Sequence, residues 1–440
     1  MWLRVQLTPG DLCGYKSGRQ NRLFRALAVV FALGLAKAAL GADWPQWRGP
    51  QRNGVSAETG LLQAWPEGGP KLRWKINDVG MGYSTPVVVG DRLYLLANEG
   101  VEDEFVQAHS RTDGRRLWRT RLGKVGKPNM QPNFYGARST PTVQGQVLYA
   151  LSSDGDLACV EIDSGQVRWR RNLQTDFGGR PGDWAYAESP LVDGETLVCS
   201  PGGPEASVVA LNRHTGELIW KCALPEADTA AYASAIVVEV GGIKQYVQLL
   251  QKGLVGIEAK TGRLLWRYAK PVSRYNANIP TPLGAEGCVY VASAGTGAGA
   301  VRLVAQEGRI QPQELYFDAN LPTAIGGVVK VGDCLYGTTA KALVCLDFAT
   351  GTVRWQAPAL GAASLCVADG RLYLHGENGE VALVAPSPEG YQLKGRFSPP
   401  EQPKRRGSME KAWAHPVVAH GSLFVRDHNM LWCYDVQAGQ

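Results

Sequence analysis

The sequence lacks the short motifs that carry most metal, redox and hydrolytic chemistry. None of its nine cysteines forms a Cys-x-x-Cys or Cys-Cys pair, and its six histidines show no His-Glu-x-x-His or His-x-His spacing. A Gly-x-Ser-x-Gly elbow and a phosphate-binding loop are also missing. The sequence therefore gives no support to a zinc site, a thioredoxin-like dithiol, a serine hydrolase or a nucleotide-binding enzyme, and no metal ligands are predicted.

Positive charge is concentrated near the amino terminus instead of being spread over the chain. The formal net charge is +6, and residues 1–42 hold six basic side chains against one acidic side chain. The remaining residues are close to neutral, which predicts no basic surface for nucleic acid. One short basic run, Lys404-Arg405-Arg406, lies among prolines and is typical of a solvated loop.

The first 42 residues have the pattern of a secretory signal peptide. Three arginines between residues 19 and 25 precede an apolar run over residues 26–36, and small residues follow as far as Ala42. The pattern predicts cleavage after Ala42, an N-terminal extension over residues 43–71, and a periplasmic or secreted protein of the bacterial cell envelope. No cysteine follows the apolar run, so a lipid anchor is not expected, and the mature form should have no transmembrane span. An uncleaved N-terminal anchor is the alternative.

A hairpin with glycine four residues before tryptophan occurs five times. The first copy is Thr112-Asp113-Gly114-Arg115-Arg116-Leu117-Trp118, and the others end at Trp169, Trp220, Trp266 and Trp355. A short alternating strand precedes each glycine, which supplies the positive φ of a tight turn, and a second strand leads to the tryptophan. We predict that each indole docks its sheet on the next sheet along the chain.

A second signal recurs out of phase with the first. It is a small or polar residue, usually followed by proline, that leads into an apolar strand, and we call it a blade start. The eight blade starts lie at Ser84, Ser139, Ser189, Ala233, Thr281, Thr323, Ala363 and His415. Each is followed by enough sequence for four strands, which predicts an all-β, eight-bladed β-propeller of four-stranded antiparallel blades over residues 72–440.

The last unit lacks its outer strand, and the strand around Trp74 is predicted to supply it and close the ring. The outer strands near Tyr316 and Phe397 lack the tryptophan and are expected to be degenerate. Cys334 and Cys345 fall on successive strands of one hairpin, where they could face each other and form a bridge in an oxidising compartment.

These repeats resemble the PQQ-like β-propeller family, the eight-bladed superfamily of quinoprotein alcohol dehydrogenases, and within it the non-catalytic BamB-like branch. The resemblance rests on the Thr-Gly-x-x-x-Trp hairpin and covers residues 72–440. A shorter stretch, Asp43-Trp44-Pro45-Gln46-Trp47-Arg48-Gly49-Pro50 with Asn53-Gly54, resembles a leader of secreted planctomycete-type propellers of this family.

The resemblance implies a binding scaffold more than a catalyst. Catalytic members carry adjacent cysteines near the cofactor and are longer, and the lipoprotein members have a cysteine at the mature start, where this chain has Asp43. We therefore expect a monomeric exported scaffold without a cofactor, which binds a protein partner in the cell envelope or a small ligand. The alternative is a dehydrogenase of small alcohols or sugars that depends on PQQ and Ca²⁺.

Four consecutive loops are long enough to form one wall on the funnel face of the propeller. They join the outer strand of one blade to the first strand of the next, over residues 123–139, 174–189, 225–234 and 271–281. Loops on a rigid scaffold are where binding residues concentrate. The candidate binding residues are Asn133, Tyr135, Arg138, Asp183, Trp184, Tyr186, Glu188, Tyr232, Asn276, Asn278 and, at the last blade start, His415.

Three hypotheses for these loops remain open. A quinone site would use Arg138 for an anionic group, Trp184 for stacking, and Glu188 and Asn278 as oxygen ligands of Ca²⁺. A protein partner would use the same aromatic and arginine side chains as anchors. The third possibility is that the loops only cap the propeller.

Overall fold

The computed structural model describes residues 41–129, 136–405, 407 and 409–439, and every regular element in this part of the chain is a β-strand. The strands form eight four-stranded antiparallel sheets, and each sheet is one blade. Nothing helical in the described residues has the length and apolar character needed to cross a membrane.

The first strand of the chain belongs to the last blade, and the others follow blade by blade. The strands are β1 Lys71–Ile76; in blade 1, β2 Val87–Val89, β3 Arg92–Glu99, β4 Asp103–Ser110 and β5 Arg116–Gly123; in blade 2, β6 Thr142–Gln144, β7 Val147–Leu151, β8 Asp156–Glu161 and β9 Val167–Asn172; in blade 3, β10 Leu191–Asp193, β11 Thr196–Cys199, β12 Val208–Asn212 and β13 Leu218–Cys222; in blade 4, β14 Ile236–Val240, β15 Ile243–Leu250, β16 Gly253–Glu258 and β17 Leu264–Tyr268; in blade 5, β18 Leu283–Ala285, β19 Cys288–Ser293, β20 Gly297–Gln306 and β21 Arg309–Asp318; in blade 6, β22 Val328–Val331, β23 Cys334–Thr338, β24 Leu343–Asp347 and β25 Val353–Ala357; in blade 7, β26 Ala363–Ala368, β27 Arg371–Gly376, β28 Val381–Ala385 and β29 Gln392–Phe397; and in blade 8, β30 Val417–Ala419, β31 Ser422–Asp427 and β32 Met430–Asp435.

The prediction of eight blades closed by the N-terminal strand is confirmed. Strand β1 pairs antiparallel with β32, with Trp74 opposite Cys433, and so completes blade 8. This pairing covers the edge that the last hairpin would otherwise expose.

Hydroxyl groups at the blade starts explain why small polar residues recur there. From blade 8 round to blade 5, a hydroxyl at the blade start, or one residue after it, accepts a hydrogen bond from the equivalent backbone N–H of the preceding blade, which ties these neighbouring blades together. The bonds run from His415 N to Thr85 Oγ1 (3.1 Å), Thr85 N to Thr140 Oγ1 (3.1 Å), Thr140 N to Ser189 Oγ (2.9 Å), Ser189 N to Ser234 Oγ (2.9 Å) and Ser234 N to Thr281 Oγ1 (3.4 Å).

Most outer-strand tryptophans dock on the hairpin of the following blade. Each indole N–H donates to a backbone carbonyl there: Trp74 to Arg111 (2.9 Å), Trp118 to Ile162 (2.9 Å), Trp169 to Arg213 (3.0 Å), Trp220 to Ala259 (3.0 Å) and Trp355 to Ser387 (2.7 Å). The hairpin glycine lies under the ring, because a Cβ on Gly165, whose φ is 75°, would come within 2.8 Å of Trp118. Only a hydrogen fits in place of a side chain under the ring, which explains why the hairpin carries glycine at this position.

Two positions depart from this arrangement. Trp266 donates to Gln245 of its own blade (2.6 Å), and the next blade carries the long β20–β21 hairpin in place of the glycine–tryptophan hairpin. Tyr316 of that long hairpin takes the place of an indole, since its hydroxyl donates to the carbonyl of Phe348 in the following blade (2.9 Å).

Inside several blades, a tyrosine, a small residue and the tryptophan form a cross-strand row. The rows are Tyr94–Ala108–Trp118 in blade 1, Tyr149–Cys159–Trp169 in blade 2 and Tyr336–Cys345–Trp355 in blade 6, with Tyr–Trp ring centroids 6.0–6.1 Å apart. The corresponding row of blade 7 ends in glycine: Tyr373–Leu383–Gly395.

Trp65, from the N-terminal extension, fills the place left open by Gly395. Its backbone N–H donates to the carbonyl of Lys394 (2.8 Å), and its ring lies 5.8 Å from Tyr373 and 5.3 Å from Phe397. The missing indole of blade 7 is therefore supplied from elsewhere in the chain, and not by Phe397.

The paired strands β23 and β24 place Cys345 opposite Tyr336 and Cys334 opposite Asp347, so the two cysteines are diagonal neighbours. Both are buried free thiols. The two side chains lie close enough to interact, since Cys334 adds to the effect of burial in raising the pKa of Cys345, although no bridge joins them.

Candidate functional site

A segment of the N-terminal extension, residues 43–58, fills the axis of the propeller, and we call it the plug. It reaches the first strand, or the residues just before it, in seven of the eight blades. The contacts include Trp44 with Val88 in blade 1, Pro45 with Val143 in blade 2, Arg52 with Ser189 in blade 3, Trp47 with Thr281 in blade 5, Arg48 with Gly326 in blade 6, and Ser56 with Val367 in blade 7 and Val418 in blade 8. The axis is therefore not an open channel.

Two fully buried arginines hold the plug in place. Arg48 donates to the carbonyls of Gly326 (3.1 Å) and Val328, and Arg52 donates to those of Ser189 (2.7 Å) and Pro190 (3.0 Å). Burial lowers the pKa of each guanidinium to about 10, so both remain charged near neutral pH. Charged donors on buried carbonyls make strong bonds, and their loss would leave those carbonyls unpaired.

Above the plug lies a pocket of about 380 Å³ on the funnel face, which we call the funnel pocket. Its lining is mainly aromatic and apolar. The lining residues are Trp47, Tyr83, Arg138, Trp184, Ala187, Tyr232, Ser234, Tyr275, Ala277, Ile279, Ile325, Met409, Trp413 and His415.

Six blades contribute to this lining from the same position. The residue lies three places before the proline of the blade start, or before Ala235 where blade 4 lacks the proline. These residues are Tyr83, Arg138, Ala187, Tyr232, Ile279 and Trp413. The repeat of the fold therefore places one side chain per blade around the mouth of the pocket.

The floor of the pocket is formed by Trp47 of the plug and His415 of the last blade start. Their rings meet edge to face with centroids 4.6 Å apart, and the Trp47 indole N–H donates to Thr281 Oγ1 (2.8 Å). Burial, with the positive charge of Arg48, lowers the pKa of His415 to about 3. The floor is therefore uncharged near neutral pH.

The walls are aromatic pairs. Tyr83 packs against Trp413 with centroids 5.0 Å apart, and Trp184 meets Tyr232 at 5.9 Å. The Arg138 guanidinium lies 5.7 Å from the centre of the Tyr83 ring. Aromatic rings packed in tilted and edge-to-face pairs of this kind form a rigid apolar surface at low entropic cost.

A fifth long loop, between β29 and β30, supplies Met409 and Trp413. Its Arg405 makes a bidentate ion pair with buried Asp427, at 2.9 and 2.6 Å. The basic run Lys404-Arg405-Arg406 was predicted to be a solvated loop. This prediction is wrong for Arg405, because its ion pair with Asp427 anchors the loop to blade 8.

Among the described residues that line the pocket, Arg138 is the one charged side chain. Desolvation lowers its pKa, and the neighbouring Tyr83 and Glu104 partly counter this effect. Glu104 lies behind the wall, where it accepts from Ser153 N (2.9 Å) and the Ser153 hydroxyl, and burial raises its pKa to about 7.

The structure brings four of the predicted binding residues together in the funnel pocket: Arg138, Trp184, Tyr232 and His415. Asp183 and Asn276 lie outside the lining and are exposed, with Asn276 Nδ2 3.4 Å from Asp183 Oδ2. Asn133 and Tyr135 lie outside the described residues.

The other three predicted residues are buried beneath the loops and do not line the pocket. Tyr186 donates to the carbonyl of Pro201 (2.8 Å). Glu188 accepts from Ser200 N and from Gln248 Nε2 (2.9 Å). Asn278 accepts from Ser273 N and the Ser293 hydroxyl (2.8 Å each) and donates to the carbonyl of Leu250 (2.8 Å).

The hydrogen bonds of Glu188 and Asn278 show whether their oxygens are available to a quinone site with Ca²⁺. The oxygens of Glu188 and Asn278 that were expected to bind calcium already accept protein hydrogen bonds, and neither residue lines the pocket. Within the described residues there is no group of three or more His, Cys, Asp or Glu side chains that could hold a metal ion. The donor set therefore does not fit a calcium–quinone site.

Comparisons with known proteins agree with the fold. A family model described as outer membrane protein assembly factor BamB matches residues 50–183 and 102–357. The protein of that name from Moranella endobia (strain PCIT) is 27% identical over 180 residues, which are 38% of this chain and 45% of that protein. The chain thus matches less than half the length of this relative.

Two solved structures show the same architecture. BamB from Moraxella catarrhalis has a TM-score of 0.59 at 12% identity, covering 83% of this chain and 98% of that one. A quinohemoprotein alcohol dehydrogenase from Pseudomonas putida HK5 has a TM-score of 0.50 at 14% identity, covering 91% and 81%. At these identities the likeness shows the fold alone.

Fold and repeats together define a PQQ-like eight-bladed propeller. Since the family model matches more than half of the chain, the protein belongs to the family described as outer membrane protein assembly factor BamB.

Proposed function

We propose that this protein is an exported binding scaffold that holds a protein partner of the cell envelope at the funnel pocket. The observation that carries the proposal is the aromatic pocket itself, which seven blades and the plug build together. Tryptophan, tyrosine and arginine are the residues that dominate binding energy at protein interfaces. The pocket combines all three on a rigid framework.

The chemistry of the lining favours binding over catalysis. Its single imidazole, His415, has a pKa lowered to about 3 and would be a weak base near neutral pH. Export is supported by the predicted signal peptide, and a partner in the envelope is supported by relatives whose name is that of an assembly factor.

Two rim residues favour a protein partner over a small ligand. Tyr275 is 66% exposed and Met409 is 56% exposed, although both line the pocket. They extend the apolar surface outward, beyond what a molecule enclosed by the pocket would cover. A polypeptide can contact the pocket and this rim at once.

The proposal is tested by capture from an envelope extract followed by cross-linking. The double variant Trp184→Ala, Arg138→Ala removes two wall residues, whereas Ile219→Ala removes a half-exposed residue from the outer strand of blade 3. A partner retained by the wild type and by Ile219→Ala, but lost with the double variant, is expected. Equal retention by all three proteins would refute the placement of the site.

A further inference from the structure

The funnel pocket is built for an apolar ring. Trp47 and His415 close it from below, and the paired rings of Tyr83 with Trp413 and Trp184 with Tyr232 stand around it. Aromatic surfaces prefer another ring in an edge-to-face or offset arrangement. A volume of about 380 Å³ is sufficient for one large aromatic side chain.

The described lining is mainly apolar, which argues against a sugar. Apart from Arg138, its polar groups are the hydroxyls of three tyrosines and of Ser234, the indole N–H groups and the buried imidazole of His415. Several of them already have protein partners: the Ser234 hydroxyl accepts from Ser189 N (2.9 Å), the Tyr232 hydroxyl accepts from Trp184 N (2.9 Å), and Trp413 Nε1 donates to Glu377 (3.1 Å). A sugar ring carries several hydroxyl groups, and each one buried without a partner would cost binding free energy. An aromatic side chain has at most one such group.

Arg138 fixes the sign of the charge that the pocket accepts. Aromatic pockets attract cations when they carry no charge of their own, but here a guanidinium stands in the wall beside Tyr83. Glu104, the acid behind it, has a pKa raised by burial to about 7 and is therefore only partly ionised near neutrality, so it offsets the charge of Arg138 only in part. A carboxylate next to the bound ring would gain a charge-assisted bond at this wall, and an ammonium group would be repelled.

We propose that the funnel pocket binds a tryptophan or tyrosine side chain of a partner polypeptide whose adjacent residue is aspartate or glutamate. This inference rests on the proposed function and adds the chemistry of the recognised segment. The ring enters between the walls, the carboxylate faces Arg138, and the flanking residues lie on Tyr275 and Met409 at the rim.

The test uses acetylated, amidated tetrapeptides and isothermal titration calorimetry on the full chain. Gly-Trp-Asp-Gly should bind about tenfold more tightly than Gly-Trp-Asn-Gly, since a bond to a charged group contributes at least that much. Gly-Trp-Lys-Gly and Gly-Ala-Asp-Gly should bind more weakly still. Raising NaCl from 50 to 500 mM should reduce the preference for Asp over Asn.

Arginine variants identify the group responsible. Arg138→Gln should bind the Asp and Asn peptides equally, and Arg138→Lys should keep part of the preference. Arg274→Gln, a change to an exposed arginine of a neighbouring loop, should keep all of it. Thermal unfolding of each variant checks that it is folded, and the salt dependence of the wild type provides the measurement if Arg138→Gln is not.

Equal binding of the Asp and Asn peptides to the wild type would overturn the inference, as would an undiminished preference in Arg138→Gln. Binding of Gly-Ala-Asp-Gly as tight as that of Gly-Trp-Asp-Gly would do the same. If the peptides behave as expected while no envelope partner is captured, the proposed function fails but the chemistry of the pocket stands. If a partner is captured at the pocket while the peptides show no preference, only this inference fails.

Discussion

Trp65 is expected to stabilise blade 7 by packing its ring into the space that Gly395 leaves, since its indole N–H makes no hydrogen bond with the described residues. Blades 1, 2 and 6 each end their cross-strand row in an indole, and blade 7 ends it in Gly395. Trp65 restores the pairing with Tyr373 from outside the sheet and is 7% exposed. Trp65→Ala would leave a cavity the size of an indole between Tyr373 and Phe397.

The cost of this cavity should be about 3–5 kcal/mol in the free energy of unfolding, as for buried aromatic residues truncated to alanine. Trp65→Phe should cost less, because a smaller ring still fills part of the space. The matched control is Trp184→Ala, which truncates the same residue type at a half-buried site in a loop. It should cost about 1 kcal/mol. Urea-induced unfolding followed by circular dichroism measures all three values.

A double-mutant cycle with Gly395 makes the reasoning specific. A Cβ added at Gly395 would lie 2.5 Å from the Cβ of Trp65, so Gly395→Ala should destabilise the wild type by about 1–3 kcal/mol through overpacking. In a Trp65→Gly background the same change should cost less, because glycine has no Cβ and the 2.5 Å contact is gone. Additive effects, or a loss below about 1 kcal/mol for Trp65→Ala, would refute the assignment of Trp65 as the indole of blade 7.

Three further predictions concern charge and cofactor. Glu104→Gln should flatten the pH dependence of stability. The folded-state pKa of Glu104 is raised to about 7 from an ordinary 4.5, so its contribution is full below pH 4.5 and is lost as the pH rises through 7. The free energy of unfolding of the wild type should fall between pH 5 and pH 8, and this fall should be smaller by up to about 3 kcal/mol in Glu104→Gln. An equal fall in both proteins would contradict the prediction. Arg52→Met should lower stability by about 2–4 kcal/mol in urea titrations, because the carbonyls of Ser189 and Pro190 lose a charged donor; a stability equal to the wild type would show that the plug does not depend on it. PQQ with Ca²⁺ should give neither saturable absorbance changes nor dye-linked alcohol oxidation, and turnover with micromolar saturation would restore the dehydrogenase hypothesis.

The blade count and the ring closure could be predicted because both are written in local, repeated patterns. A glycine turn and a tryptophan four residues later specify a hairpin whatever surrounds it. The lone outer strand at Trp74 could be matched to the incomplete last blade because the repeat shows what is missing there.

The plug could not be predicted, since residues 43–58 have no repeat and no hydrophobic period. Their structure follows from long-range contacts such as Arg48 with Gly326 and Ser56 with Val418, which no local pattern encodes. Trp65 is hidden for the same reason: its partner Gly395 is more than 300 residues away. The expectation of degenerate outer strands near Tyr316 and Phe397 is confirmed, since the tryptophan position holds Tyr316 in one strand and Gly395 in the other.

The pocket was predictable in part. Loop length indicated Arg138, Trp184 and Tyr232, but it also selected Glu188 and Asn278, whose polar atoms pair with buried groups of the loops themselves. Buried polar groups of loops need hydrogen-bond partners, and polar side chains of the same loops often supply them. The signal that would have separated them is the position three residues before each blade-start proline, where Tyr83 and Trp413 stand.

The N-terminal extension joins stability and binding in one segment. Strand β1 closes the ring, Trp65 completes blade 7, Arg48 and Arg52 satisfy carbonyls on the axis, and Trp47 forms the floor of the pocket. A ligand that contacts Trp47 therefore binds only when the plug is docked, and by linkage it must stabilise the docked plug by the same free energy. Changes to the plug should consequently alter partner affinity even at residues the partner never touches. The blades supply the walls of the funnel pocket, whereas the plug forms its floor and so determines how deep the pocket is.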